Sequence, residues 1–175
     1  MGSTVTRLTD EEFLSLPDSP GKQELLDGEL IELPPAKHAH DELARRIARL
    51  LETVLHPSRV WIESAYQLAD VKWLQPDVSI SWPDQPVVND YKHGSPMLAV
   101  EIASRGNTPD ELERKRIAYL DHGCGELWII YPETRTMLVC SPAGSQHIEA
   151  HSDYHSPLAE VTVTPEYRTP IPIRG

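Results

Sequence analysis

Two carboxylates and an amine stand where folding alone gives little reason for them. Glu101 interrupts the apolar run from Met97 to Ile102, which Pro96 and the Ser104-Arg105-Gly106-Asn107 turn delimit as a buried strand. A carboxylate seldom leaves water without a partner charge or a metal, because desolvation is costly. Asp77 follows Pro76 at the entry of another strand, in which Val78, Ile80 and Trp82 share one face while Asp77, Ser79 and Ser81 share the other. Lys115 and Arg116 lie in a helix on either side of the line joining Leu112 to Tyr119, so at least one cation points toward the sheet that carries Glu101. The bland reading of these cations is snorkelling from the edge of an amphipathic helix. The chemical reading is sharper. Two carboxylates on adjacent strands can hold a hydrated Mg2+, which lowers the pKa of a bound water and neutralises charge developing on a phosphate. A nearby lysine can orient that water.

Elements around these residues are well signalled. Thr108, Pro109 and Glu111 form the start of a capped helix ending near Gly123, and the apolar stretch Glu126 to Tyr131 follows, so strand, helix and strand form a unit with parallel strands. Upstream, Thr9 to Glu12 predicts a short capped helix stopping at Pro17. Asp27-Gly28 within Gln23 to Leu33 predicts a hairpin. Leu43, Ile47, Leu50, Leu51 and Val54 recur at helical spacing over about Lys37 to Leu55, and His40 shares their inward side at the head of that helix, as a core or capping histidine would. Alternation predicts one strand from Arg59 to Leu68, with Glu63 solvated. Pro83 to Ser95 reads as a loop, Thr136 to Cys140 as a strand. His147 to Ala150 and Leu158 to Val163 read as strand-like pieces before a Pro-rich end. His147, His151 and His155 have metal-site spacing only on a helix, which their neighbours do not favour.

With 175 residues, 39% of them hydrophobic, the chain is long enough for a single domain with one core. Two cysteines, without zinc spacing, fit a reducing cytoplasm. No segment suits a membrane helix or a secretory leader. The net charge of −11 argues against a broad nucleic-acid surface but leaves room for a compact metal site, whose ion reverses the local field.

The segments QPDVSI, LAVEIAS, NTPDELERKRIAYLDHGCGELWIIYPETRTMLV and ELLDGELIELPPAKHAHDELARRIARLL resemble the Uma-two family of endonucleases, within the restriction-endonuclease-like PD-(D/E)XK superfamily. The resemblance runs from about Gln23 to Val139. It implies an α/β fold with a central mixed sheet flanked by helices and an N-terminal hairpin. It further implies a Mg2+-dependent endonuclease, with Mn2+ as an alternative ion, acting on nucleic acid, DNA being the expected substrate; a homodimer is an expectation attached to the non-cleaving alternative below. Asp77 and Glu101 would be the metal-binding acids and Lys115, rather than Arg116, the catalytic lysine; His40 matches a family histidine. The superfamily's usual lysine position, two residues after the second acid, is Ala103. The chain departs from the family at Ser104-Arg105-Gly106, in place of Ser-Pro-Ser, and at Tyr131-Pro132, in place of Asp-Pro, both of which bear on loop shape. The rival expectations are a non-cleaving nucleic-acid or protein-binding regulatory module on the same fold, and a hydrolase of smaller phosphate esters.

Overall fold

A computed structural model of the chain describes residues 7–56 and 59–165; the Pro-rich end beyond them lies outside the described residues. The elements in order are α1 (Asp10–Leu14), β1 (Lys22–Leu26), β2 (Glu29–Leu33), α2 (His38–Glu52), β3 (Val60–Ile62), β4 (Tyr66–Ala69), β5 (Lys72–Leu74), β6 (Val78–Ile80), β7 (Val87–Val88), β8 (Tyr91–His93), β9 (Leu98–Ile102), α3 (Pro109–Asp121), β10 (Glu126–Tyr131), β11 (Thr136–Ser141), β12 (Gly144–Ile148), β13 (Tyr154–Ser156) and β14 (Val161–Val163).

The organising sheet has the strand order β12-β11-β10-β9-β6-β3. It is mixed: β9 and β10 run parallel, joined by α3, and the other pairs are antiparallel. Its central strands β9 and β10 are largely apolar on both faces because both are covered, while the edge strand β12 is mostly exposed. On one face Val78, Ile80, Leu98, Val100 and Ile102 pack with Leu43, Ile47 and Leu51 of α2. On the other, Ala99, Leu127 and Ile129 meet Leu112 and Tyr119 of α3 and residues of a second sheet, ordered β2-β1-β5-β4-β8-β7. The α/β architecture is therefore a mixed sheet with helices on both faces, and the N-terminal hairpin belongs to the second sheet.

Local signals account for the hairpin and for α3. Asp27 and Gly28 have φ of 55° and 80°, the left-handed pair of a type I′ turn. At α3, Thr108 Oγ1 accepts from the Glu111 amide at 3.2 Å, and Glu111 Oε2 accepts from the Thr108 amide at 2.8 Å.

Two expectations need correction. The stretch from Arg59 to Leu68 is two strands in different sheets, β3 pairing with β6 and β4 with β5. Glu63 breaks it with φ of 49°. The bend is held by the Glu63 amide donating to the Asp77 carbonyl and by Gln75 Nε2 donating to the Glu63 carbonyl. The alternation of residue types runs on in the sequence, but the side chains do not follow it: Ile62 is 46% exposed while Val60, Tyr66 and Leu68 are buried. Likewise Pro83 to Ser95 contains the β7–β8 hairpin, turned by Asn89 and Asp90 with φ of 50° and 67°.

Gly21, just before β1, has no room for a side chain: a Cβ there would lie 1.9 Å from the Leu33 carbonyl oxygen on the paired strand. Gly21→Ala is expected to destabilise the fold by about 1–3 kcal/mol, the usual range for overpacking, as a lower urea midpoint at unchanged slope.

Candidate active site

Asp77 and Glu101 are brought together by strand register. In the β6–β9 pair Val78 lies opposite Val100, so one step back sets Asp77 beside Glu101 at the end of the pair. Asp77 is tied to β9 twice: its amide donates to the Val100 carbonyl at 3.0 Å, and its Oδ2 accepts from the Ile102 amide at 2.7 Å. Both carboxylates are buried, at 3% and 4% exposure, yet both line one cleft of about 1350 Å3.

From α3, Lys115 turns inward and is 1% exposed, while Arg116 turns outward to Glu113. The choice between the two cations that spacing leaves open is settled by this orientation. Lys115 Nζ donates to Glu101 Oε2 at 3.2 Å, and the Tyr119 hydroxyl donates to Glu101 Oε1 at 2.8 Å. From α2, His40 reaches the other acid, with Nε2 3.4 Å from Asp77 Oδ2. All four residues singled out in the sequence, His40, Asp77, Glu101 and Lys115, thus converge.

Lys22 and Glu24, both from β1, were missed. Lys22 Nζ donates to Asp77 Oδ1 at 2.6 Å. Glu24 is fully buried; its Oε1 accepts from the Gln75 amide at 2.9 Å, and its Oε2 lies 2.5 Å from Lys115 Nζ, off the line of a directed hydrogen bond. The available signal was alternation: Lys22, Glu24 and the core residue Leu26 fall on one face of β1. By contrast His147 lies on β12, His155 on β13 and His151 in the turn between them, so no histidine ladder forms.

The electrostatics follow from this crowding. Burial acts to raise the Asp77 carboxyl, but His40 and Lys22 outweigh it and hold the group well below the usual carboxylate range. Burial dominates at Glu101, which is raised despite Lys115. For Lys115 and Lys22 burial acts downward; the carboxylates around them prevail and raise both. Contact with Asp77 raises His40 against the opposing effect of burial.

A family model described as "Putative restriction endonuclease", Uma2, matches residues 10–169. The chain belongs to the Uma2 family. A crystal structure described as a "putative nuclease belonging to DUF820", from Anabaena variabilis ATCC 29413, is similar with a TM-score of 0.81 at 20% identity, covering 91% of this chain and 96% of that one. Comparison with curated proteins gives no match. The fold is thus the restriction-endonuclease-like one. The two departures from the Uma-two pattern both line the cleft, and Arg105 of the first has its Nε 3.3 Å from Oε1 of Glu133, the residue that follows the second.

The donor set suits a hydrated divalent ion. Among the described residues no three His, Cys, Asp or Glu side chains form a closed metal cage. Mg2+ needs none, since it keeps several waters and takes one or two carboxylates. Asp77 and Glu101 are such a pair, and as ionised carboxylates they retain lone pairs beyond the hydrogen bonds they accept here.

Removing Lys115 leaves Glu24 and Glu101 as buried charges without their cation. Lys115→Met is expected to cost about 3–5 kcal/mol at neutral pH. The deficit should narrow as pH falls toward 4.5, the ordinary glutamate value, with the relief complete below it, because a carboxyl raised in the folded state takes up its proton at a higher pH there than in the unfolded chain. Urea titrations across pH read this directly. NMR titration of His40 should give a pKa above its ordinary 6.5, moving down in Asp77→Asn.

Proposed function

We propose that this protein is a Mg2+-dependent phosphodiesterase acting on nucleic acid, with DNA as substrate. The carrying observation is the Asp77–Glu101 pair, open to a cleft on one side and backed by a buried lysine on the other, in a chain of the Uma2 family. The cleft is lined by five carboxylates against three full cations, counting Asp41, Glu63, Asp77, Glu101 and Glu133 against Lys22, Lys37 and Arg105. A polyanion entering it meets repulsion unless a cation is held there, which favours metal dependence.

Asp77 and Glu101 would hold the ion, and the ion, when bound, would activate water and offset charge on the phosphate. Hydrolysis adds the water oxygen to phosphorus and breaks one phosphorus–oxygen ester bond, the departing oxygen leaving with a proton as an alcohol. The protein's own residues fix the acids for this. The Ile102 amide and His40 orient Asp77, while Lys115 and Tyr119 orient Glu101, so neither carboxylate has to reorganise during the reaction. Two free, buried cysteines suit a reducing cytoplasm. No helix among the described residues is long and apolar enough to cross a membrane.

The acidic cleft favours one second reading, a non-cleaving binding module on the same fold. Incubation with single-stranded, duplex and branched DNA and with RNA, in Mg2+ or Mn2+, distinguishes the two. Cleavage that EDTA abolishes, with Asp77→Asn or Glu101→Gln lowering Mn2+ affinity about tenfold or more, is the expected result. Ion binding with every polymer left intact supports the second reading.

A further inference from the structure

We infer that Lys22, rather than Lys115, is the ammonium that meets a substrate phosphate, and that Lys115 is a positioning residue behind the acid pair. The inference rests on the proposed metal-dependent reading and assigns the substrate-facing cation within it. Lys115 is 1% exposed and held between Glu24 Oε2 at 2.5 Å and Glu101 Oε2 at 3.2 Å; it does not line the cleft. An ammonium with carboxylates on two sides and α3 behind it has no path to a phosphate without uncovering both. Its geometry suits holding Glu101 in place.

Lys22 has the opposite setting. It lines the cleft beside Asp77 and Glu101, and its side chain is 10% exposed. Among the described residues its one side-chain hydrogen bond is to Asp77 Oδ1 at 2.6 Å, the oxygen left available because Oδ2 is committed to the Ile102 amide. The Lys22 ammonium, held by that one oxygen, would be repelled and its tether loosened by a divalent ion bound at Asp77 Oδ1. On a flexible four-carbon stem, the loosened group stays within the cleft, next to whatever the ion binds. The remaining cleft cations suit this less. Arg105 is almost fully exposed and paired with Glu133, and Lys37 is exposed at the head of α2. At Ala103 the cleft offers only a methyl group, so an amine at the acid pair has to arrive from another element, and β1 supplies it.

Two consequences distinguish this role from a structural one. Without Lys22 the ion no longer competes for Asp77, so its affinity rises; without Lys22 the phosphate loses a charged donor, so substrate affinity falls. The test uses Mn2+ titration calorimetry without nucleic acid, and fluorescence anisotropy of a labelled DNA duplex in Ca2+, on wild type, Lys22→Met and Lys115→Met. Lys22→Met should bind Mn2+ about threefold tighter or more and the duplex about tenfold weaker, while Lys115→Met does not tighten Mn2+ binding. Cys124 and Cys140 are buried, so aminoethylation of Lys22→Cys places an ammonium at residue 22 selectively and should restore both values. Lys22→Met that leaves both affinities unchanged, or weakens Mn2+ binding, overturns the inference, as does failure of the aminoethylated variant to recover. A wild type that binds the duplex through Lys22 but cleaves nothing with Mg2+ supports this assignment and overturns the nuclease reading. A wild type that binds neither ion nor duplex overturns both.

Discussion

The fold is built around an ammonium that water cannot reach. Lys115 sits between Glu24 and Glu101, with all three side chains at 5% exposure or less. Moving such charges out of water is favourable only when they face each other closely and their remaining lone pairs are filled. Each requirement is met by a different element: β1 brings Glu24, β9 brings Glu101, α3 brings both Lys115 and Tyr119, and the segment before β6 brings the Gln75 amide to Glu24. The second sheet therefore does more than cover a core. Without β1 against the β9 face, Lys115 would have one carboxylate partner and Asp77 would lose Lys22.

The same constraint organises the acid pair. Asp77 and Glu101 lie on adjacent strands but are controlled differently, Asp77 by a cleft-lining lysine and histidine and Glu101 by a buried lysine and tyrosine. Their pKa values move apart as a result, Asp77 down and Glu101 up. Asp77 stays ionised and ready to accept a cation, whereas Glu101 holds its negative charge mainly through Lys115. A structural domain gains little from such an arrangement, since well-packed apolar residues of similar volume often do as well or better. Retaining it makes sense where a carboxylate must be presented to a cleft in a fixed orientation.

Features written in local chemistry could be read directly from the sequence. Thr108, Pro109 and Glu111 cap α3 through contacts three residues apart, and Asp27-Gly28 turns the first hairpin through its own backbone angles. Glu101 was conspicuous because a charge inside an apolar strand is rare enough to demand a partner. Lys22 and Glu24 were not, because charged residues in a hairpin ordinarily face solvent, and only the closure of a second sheet over the first buries them. The break at Glu63 escaped for a related reason: the alternation from Val60 to Leu68 is continuous, while the change of sheet depends on a positive φ that a glutamate seldom adopts. Lys22, Glu24 and the break at Glu63 thus depend on long-range packing, whereas the helix caps and the first hairpin depend on neighbours in sequence; the short β7–β8 hairpin is local and still reads as a loop.

The acidic balance of the chain looks like an obstacle to an anionic substrate, but its distribution within the cleft bears on that. Asp77 has a lysine and a histidine beside it, and Glu24 and Glu101 share a lysine, so much of the innermost negative charge is offset before any ion arrives. The excess at the cleft lies further out, at Asp41, Glu63 and Glu133. On the proposed reading, Asp77 and Glu101 would hold the ion and Lys22 would be freed, so that positive charge would gather at the depth where a phosphate is held while the rim stays negative. Affinity would then depend on ion loading rather than on a basic surface, and a substrate would be held by one phosphate at the bottom of the cleft more than by its length along the outside. Such a site tolerates a chain of strongly negative net charge because the attraction is confined to a few ångströms around the acid pair, within the distance over which salt leaves charges unscreened.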